Sequence, residues 1–287
     1  GYIVKQIENN SEIKCISEKK KELEDVIKLE SMKVEFLSNM SHEFRTPINI
    51  ILAITQLLNM HNKSLSDEKY KEYLNVLKQN SYRLLRLINN IMDITKVNSD
   101  SDQLNLINCN IVSVLEEIVM STVLYASEKK RNIIFDTDNE EIILACDEDK
   151  IERIMLNLIS NAIKFSDCDT DIEVKINTNL DLNRVYISIK NYGSNIEFKD
   201  REKIFERFYR VDNSLNRKNE GCGIGLFLCR KFIEMHGGEI FLDNIDNGTQ
   251  FSFYLPINIT EEKINNPIIQ KDSLIERCNI EFSDIYT

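Results

Sequence analysis

The stretch DEDKIERIMLNLISNAIKFS, residues 147–166, predicts one amphipathic helix from Asp147 to Phe165. Its apolar residues recur at helical spacing and form one buried stripe, namely Ile151, Ile154, Leu158 and Ala162. A second stripe carries Asn157, Asn161 and Lys164, spaced i, i+4, i+7. Amide oxygens are acceptable ligands for Mg²⁺, so these asparagines are either metal-site residues or part of a solvated helix face.

Short strand patterns alternate with helical patterns on both sides of this helix. Strands are predicted at 132–137, 141–146, 171–178, 184–191, 239–244 and 249–256, and further helices at 115–130 and after Gly225. Such a mixture predicts an α/β sandwich, a mixed sheet with helices on one face, over residues 104–257. Residues 258–287 show no clear period and receive no assignment.

The N-terminal third has a different pattern. Apolar residues repeat at three-then-four spacing from Ile13 to Leu58 and again from Tyr70 to Ile91, with a turn at 65–67 between the two series. Two long helices joined by a short loop predict a helical hairpin over 31–98, preceded by a coiled-coil helix over 1–30. A lone hairpin leaves each apolar stripe half exposed, so we expect a homodimer that closes a four-helix bundle. The polar run VNSDSDQL, 97–104, reads as a linker.

Composition excludes several function classes. The 287 residues carry 47 acidic and 36 basic side chains, a formal charge of −11, which argues against a nucleic-acid partner. The seven cysteines are scattered and never spaced C-x-x-C, so we expect a reducing, cytoplasmic setting without disulfides or zinc. No apolar run reaches the roughly 18 residues of a membrane span, so we expect no membrane contact by this piece. Because the sequence starts at Gly1, we expect a longer parent protein, in which any membrane anchor would lie.

A chemically distinctive segment lies on the first hairpin helix, FLSNMSHEFRTPINI at 36–50. His42 and Thr46 share a helix face, and Glu43 follows the histidine directly. Pro47 lacks an N–H and crowds the carbonyl of Glu43, so the helix is expected to bend just past the histidine. A carboxylate beside an imidazole can hold one ring proton and leave the other nitrogen free as a nucleophile. Taken without its neighbours, such a pair is more often a plain surface histidine.

A third segment, EGCGIGLFLCRKFIEMHGG at 220–238, opens with three closely spaced glycines. Gly221, Gly223 and Gly225 permit a backbone that approaches phosphate closely, and a helix starting near Gly225 presents free N–H groups. Similar glycine spacing occurs in dinucleotide-binding folds. Here the glycines follow the polar stretch DNSLNRKNE, 212–220, which is more typical of a lid than of a strand-to-helix turn.

Together and in this order, the segments resemble the sensor histidine kinases of two-component systems, over most of residues 30–256. SHEFRTP resembles the family's H-box, NLISNAIKF its N-box, NYGSNI its first glycine box, IFERFYR its F-box and GCGIGL its second glycine box. The resemblance implies an α plus α/β-sandwich architecture, in which a dimerisation and phosphotransfer hairpin in a dimeric four-helix bundle precedes a Bergerat-type ATP-binding domain. Residues 1–30 would be a signalling helix.

The resemblance also implies an activity. His42 would be the phospho-acceptor that takes a phosphoryl group from ATP, and Glu43 the acid that assists its attack. The phosphoryl group would pass to the receiver domain of a response regulator, and Thr46 would position water when phosphate is removed from that partner. The abundance of Asn, Ile and Lys suggests an AT-rich bacterial genome, for which a sporulation kinase is one possible setting.

For the nucleotide, the resemblance implies a set of contacts on the α/β domain. Asn161 would hold Mg²⁺ with Asn157 close by, Lys164 and Arg210 would contact phosphates, and Phe165 would border the nucleotide. The remaining implied ATP-binding positions are Asn191, Gly193, Gly221, Gly223, Gly225 and Thr249.

Three positions bear on the direction of the chemistry. Related ATPases carry a glutamate base where this chain has Asn157, which cannot take a proton, so transfer is favoured over hydrolysis. Asn191 replaces the family's adenine-binding Asp, and Asn195 replaces a Gly. These two departures leave a second hypothesis open, a degenerate kinase acting as a phosphatase or a phosphotransfer scaffold. A purely structural coiled-coil adaptor would leave the nucleotide-site residues unexplained.

Overall fold

The computed structural model describes residues 2–60, 65–97, 103–211, 223–243, 245–261 and 271–285. The chain divides into two compact units, residues 1–46 and 47–287. The long first helix, α1, contributes residues to both units, and the second unit holds every other element. Among the described helices, none is both long and apolar enough to cross a membrane.

Two long helices form the helical hairpin region. Helix α1 spans Tyr2–Met60 and α2 spans Asp67–Val97. Ser66 caps the second helix, because its carbonyl accepts from the Tyr70 N–H at 3.0 Å and its Oγ accepts from the Lys69 N–H at 3.4 Å. The predicted helix start at Asp67 is therefore confirmed, and the turn before it stays a prediction. Helix α1 continues on both sides of Pro47, and the bend expected there stays a prediction.

A five-stranded mixed sheet organises the rest of the chain. Its strands lie in the order β2-β4-β5-β7-β6, with β2 parallel to β4 and all other neighbours antiparallel. Their bounds are Asn132–Thr137 for β2, Asp171–Asn179 for β4, Arg184–Tyr192 for β5, Glu239–Asp243 for β6 and Gly248–Pro256 for β7. All five strands match predicted segments to within one residue at each end.

Three helices cover one face of this sheet, which confirms the predicted α/β sandwich. They are α3, Ile111–Glu128, α4, Glu148–Phe165, and α5, Gly225–Met235. Burial alternates along β5, where Val185, Ile187 and Ile189 are buried while Tyr186 and Lys190 are partly exposed. This period of two arises because successive strand side chains point to opposite faces, and the helices cover one of them.

Several features differ from the sequence prediction. Helix α3 begins four residues before the predicted range 115–130 and ends two residues before its end. Strand β1, Ile107–Asn110, pairs antiparallel with β3, Ile143–Cys146, in a separate two-stranded sheet. The predicted strand at 141–146 therefore begins two residues later. Helix α6, Lys271–Glu281, lies in the tail that had no assignment. Its buried residues include the charged Glu281 together with Leu274 and Cys278, while Ile275 is exposed, so polarity does not follow the helical period as it does in α5, which is equally long.

Candidate active site

The phospho-acceptor candidate lies on α1, in the first compact unit. His42 is exposed and Glu43 is half-buried on the same helix. The Thr46 hydroxyl donates to the His42 carbonyl at 3.2 Å, so this threonine lies one turn further along the same face. The adjacent Pro47 is buried. The sequence-predicted arrangement of these residues on one helix is present, with the imidazole accessible to solvent.

Helix α4 presents the asparagine pair as the sequence predicted. The Asn161 Nδ2 donates to the Asn157 Oδ1 at 3.3 Å, and both side chains are half-buried. The Asp147 side chain caps the start of the helix by accepting from the Lys150 N–H at 3.1 Å. The predicted apolar stripe, Ile151, Ile154, Leu158 and Ala162, is buried. Burial of that stripe sets the rotation of α4 and so turns the two amides toward α5.

The described part of the glycine segment joins this surface. Gly223 has φ +66°, and a Cβ there would approach the backbone of Phe208 and Tyr209 at 3.1 Å or less, so glycine is required. Helix α5 begins at Gly225, and among the described residues no side chain caps its first turn. Its N–H groups are thus available to an anion. Arg210 is exposed, and Gly221 lies outside the described residues.

A second polar cluster lies beside α4, where β5 ends and β7 begins. Asn191 is paired across the sheet with Thr249 and is 3% exposed. Its Nδ2 is buried and has no hydrogen-bond partner among the described residues. Gly193 follows on β5's end with φ +153°, and a Cβ there would collide with the carbonyl of Phe165. The unpaired amide therefore lies next to the C-terminal end of the asparagine helix.

Two side-chain hydrogen bonds connect the start of β7 to the loop that follows β5. The Thr249 hydroxyl donates to the Ser194 carbonyl at 3.1 Å, and the Asn195 Oδ1 accepts from the Gly248 N–H at 2.8 Å. At position 195 the family pattern has a glycine, which has no side chain, whereas Asn195 of this chain adds a side-chain hydrogen bond. This contact between two distant segments has no signal in the sequence.

His236 connects the C-terminal end of α5 to the N-terminal end of α4 in the α/β sandwich. The His236 Nε2 accepts from the Asp147 N–H at 3.0 Å, and its Nδ1 lies 2.6 Å from the Phe232 carbonyl. An accepting Nε2 and a donating Nδ1 define the neutral imidazole. Burial lowers the pKa of His236, which also favours that neutral form. The histidine was assigned no functional role from sequence, and it ties the end of α5 to the start of α4.

Lys164, predicted to contact phosphates, is held by the C-terminal segment. Its Nζ lies 2.6 Å from the Asp284 Oδ2. Arg86 of α2 pairs with the same carboxylate and, at 2.9 Å, with Glu281. Arg153 of α4 reaches α2, with its Nη2 2.7 Å from the Asp93 Oδ2. None of these partners was identified from the sequence.

Two protein families match the chain, in the order of the two predicted domains. Residues 32–100 match the His Kinase A (phospho-acceptor) domain, and residues 146–259 match the histidine kinase-, DNA gyrase B- and HSP90-like ATPases. A phospho-acceptor hairpin followed by this ATPase sandwich defines the class of histidine kinase cores. The chain belongs to the sensor histidine kinases of two-component systems.

Individual relatives agree with this assignment. The chain is 31% identical to the sensor histidine kinase WalK of Bacillus subtilis over 239 residues, which cover 82% of this chain and 38% of that protein. It is 32% identical to hybrid signal transduction histidine kinase D of Dictyostelium discoideum over 253 residues, covering 86% of this chain and 16% of that protein. The chain therefore spans less than half the length of these two relatives.

Two solved structures share the fold over most of the chain. Full-length ShkA in complex with AMPPNP has a TM-score of 0.59 and 25% identity, covering 79% of this chain and 46% of that one. The histidine kinase ThkA in complex with the response regulator protein TrrA has a TM-score of 0.59 and 26% identity, covering 78% of this chain and 61% of that one.

Proposed function

We propose that this chain is the core of a protein-histidine kinase that phosphorylates His42 from Mg²⁺-ATP and passes the phosphoryl group to a response-regulator receiver domain. The observation that carries the proposal is one chain holding both an accessible histidine beside a carboxylate and an ATPase sandwich with paired asparagines on α4. The AMPPNP complex of ShkA and the TrrA complex of ThkA support ATP and a response regulator as its substrate and partner.

Phosphoryl transfer to His42 begins with the lone pair of one imidazole nitrogen. One ring nitrogen attacks the γ-phosphorus, a P–N bond forms, and the bond to the β–γ bridging oxygen breaks with its electron pair leaving on ADP. The imidazole becomes positively charged as it attacks, and Glu43 relieves that charge by accepting the proton from the other ring nitrogen. Positioning and charge neutralisation are the main contributions to phosphoryl transfer of this kind.

The proposed nucleotide site offers several polar groups that fit ATP. The buried Asn191 Nδ2 has no partner among the described residues, and a purine edge would supply the acceptor that it lacks. Because Asn161 donates through Nδ2, its Oδ1 remains the atom that Mg²⁺ would take. When bound, Mg²⁺ would neutralise charge on the phosphates. The free N–H groups at the start of α5 would add to this.

The residue at position 157 favours transfer over hydrolysis. A water-activating base must accept a proton, and the amide of Asn157 cannot do so. Its Oδ1 is occupied by the hydrogen bond from Asn161. The site therefore holds the nucleotide without supplying a base for attack by water.

The hairpin supports a homodimer as the working form. Helix α2 exposes apolar side chains to solvent in the single chain, namely Leu74, Leu85, Ile88 and Met92. Pairing with a second hairpin would bury this surface, which a soluble monomer rarely leaves open.

The test is incubation of the chain with γ-labelled ATP and Mg²⁺. Label is expected on His42 as an acid-labile, base-stable phosphoramidate, and candidate receivers are then expected to remove it. The His42→Gln variant should bind ATP and remain dimeric while taking no label. Label that persists in His42→Gln would refute the assignment of the acceptor.

A second candidate function is a phosphatase or phosphotransfer scaffold with weak kinase activity. The ion pair between Lys164 and Asp284 favours it, because a carboxylate of the chain itself contacts the ammonium that would otherwise bind phosphate. Asn191 favours it as well, since an amide brings no charge to the adenine site. Under this hypothesis, labelled ATP gives little phosphohistidine, whereas a phosphorylated receiver loses its phosphate when the chain is added. The Thr46→Arg variant should then impair that loss without changing histidine labelling.

A further inference from the structure

Residues 271–285, here called the C-terminal strap, lie beyond the matched ATPase family at 146–259 and pack onto the domain as an integral part. Phe282 is fully buried and stacks on Tyr125 of α3, with ring centroids 4.8 Å apart and an interplanar angle of 21°. The Cys278 Sγ lies 3.2 Å from the Ser121 Oγ, also on α3. Burial of a large aromatic ring at this site anchors the strap to the catalytic domain.

The end of the strap places two carboxylates between two parts of the protein. Asp284 contacts Lys164 of α4 at 2.6 Å and also pairs with Arg86 of α2. Glu281 lies 2.9 Å from Arg86 and 3.6 Å from Arg153. Arg86 belongs to the hairpin, whereas Lys164 and Arg153 belong to the N-box helix. The strap therefore joins the hairpin to the helix that carries the nucleotide-site residues.

These ion pairs are shielded from water. The Asp284 side chain is 8% exposed and that of Glu281 is 5% exposed. Although burial raises the pKa of Asp284, Arg86 and Lys164 outweigh burial and lower it to about 2. Asp284 is thus a carboxylate at neutral pH, held by two cations. Because so little water surrounds these charges, they are weakly screened. Removal of one partner of an ion pair therefore leaves a buried charge unpaired, which costs stability.

We propose that the C-terminal strap is an autoinhibitory contact, in which Asp284 occupies Lys164 and competes with the phosphates of ATP for it. This inference rests on the proposed function, in which Lys164 contacts phosphate. A lysine ammonium is a compact charge that a carboxylate or a phosphate can neutralise equally well. Because Asp284 also holds Arg86, binding of phosphate at Lys164 weakens the link to α2. Nucleotide binding is thereby coupled to release of the catalytic domain from the hairpin.

The experiment compares Asp284→Asn with Arg277→Gln in the full chain. Arg277 is a matched control on the strap, because it pairs with Glu152 at 2.5 Å and with Asp149 at 3.8 Å, both on α4, and not with Lys164 or α2. Calorimetry measures Mg²⁺-ATP affinity, and hydrogen exchange of the α2 peptide around residues 84–93 reports on the link to the hairpin. Lys164→Ala and the double variant Lys164→Ala/Asp284→Asn complete a mutant cycle.

Asp284→Asn is expected to tighten Mg²⁺-ATP by roughly fivefold to tenfold and to speed exchange on α2, in the usual range of coupling between two sites. Arg277→Gln should change neither, even if both variants lower the melting temperature. In the Lys164→Ala background, Asp284→Asn should leave affinity unchanged.

Each alternative outcome identifies which inference fails. If Lys164→Ala weakens ATP binding but Asp284→Asn behaves like Arg277→Gln, the autoinhibitory contact is wrong and the phosphate role of Lys164 stands. If Lys164→Ala binds ATP as well as the unaltered chain, both are overturned. Faster α2 exchange in Arg277→Gln as well would mean that the strap has a general packing role instead.

Discussion

Gly225, the first residue of α5, lies directly against the side chain of Asn157 on α4. A Cβ at Gly225 would stand 2.8 Å or less from the Cγ, Oδ1 and Nδ2 of that amide. Real Cβ atoms do not come so close, so the helix start and the asparagine pair occupy one space only because residue 225 is glycine. The start of α5 and the asparagine pair on α4 are therefore sterically matched to each other.

The first prediction follows from this contact. In Gly225→Ala the added methyl group displaces the Asn157 amide, and with it the hydrogen bond to Asn161, so Mg²⁺-ATP affinity should fall about tenfold or more. Alanine is the better helix former, by about 0.5–1 kcal/mol, so loss of the helix is not expected. Calorimetry and a thermal melt measure the two effects. Arg230→Ala, a change on the exposed face of α5, serves as the control, and a Gly225→Ala variant with unaltered affinity would contradict the argument.

The second prediction concerns Asn161. Its half-buried amide makes one hydrogen bond, to Asn157, and contributes little to the core, so Asn161→Ala should fold almost normally. Most Mg²⁺-dependent ATP binding should disappear, because a metal ligand is lost. Titration with ATP in the presence of Mg²⁺ and of EDTA separates metal-dependent from metal-independent binding. Equal losses in both conditions, or a collapsed melt, would count against a metal role.

The third prediction concerns Asn191 and its buried amide. Asn191→Asp removes the Nδ2 donor proposed above for the purine edge, but it gives the adenine amino group an ionised acceptor, which binds more strongly than an amide oxygen does. We expect the second effect to be larger, so the variant should tighten ATP binding by roughly tenfold or less. Without nucleotide, the same change places a carboxylate in a site only 3% exposed, and the melting temperature should drop. Saturating ATP should restore much of that drop. Weaker ATP binding in the Asp variant would instead identify Asn191 as an adapted adenine-binding residue.

The fourth prediction is a pH dependence of stability. Burial lowers the pKa of His236 in the folded chain below its ordinary value of about 6.5, so the unfolded chain binds the proton more readily. Stability should therefore fall as the pH drops from about 7 toward 5, because protonation removes the Nε2 acceptor for the Asp147 N–H. Thermal melts over that window should show a flatter slope in His236→Gln. An unchanged slope in His236→Gln would contradict this argument.

The helical pattern at 147–165 and the alternation in β4, β5 and β7 allowed the sandwich to be predicted nearly to the residue. These signals survive because each element buries one face, and burial selects apolar residues at the period of the element. Strand β1 has only four residues, and the buried side of α6 combines Leu274 and Cys278 with Glu281 while Ile275 is exposed, so neither element shows such a pattern. Short elements depend on their neighbours, and their assignment needed the assembled fold.

In the candidate site, too, some residue relationships could be predicted from the sequence and others could not. Local spacing was enough to place His42 with Thr46 and Asn157 with Asn161, because residues four apart share a face of any α-helix. The contact of Gly225 with Asn157 and the ion pair of Lys164 with Asp284 join residues 68 and 120 positions apart in the sequence. Such long-range contacts depend on how α4, α5 and the C-terminal strap pack against one another. Complementary charges and shapes on different elements do not produce a repeating pattern in a single sequence, so they could not be predicted from it. The sequence by itself thus determined most of the elements, the phospho-acceptor segment and the family, whereas β1, α6 and the side chain that faces Lys164 were decided only by the tertiary structure.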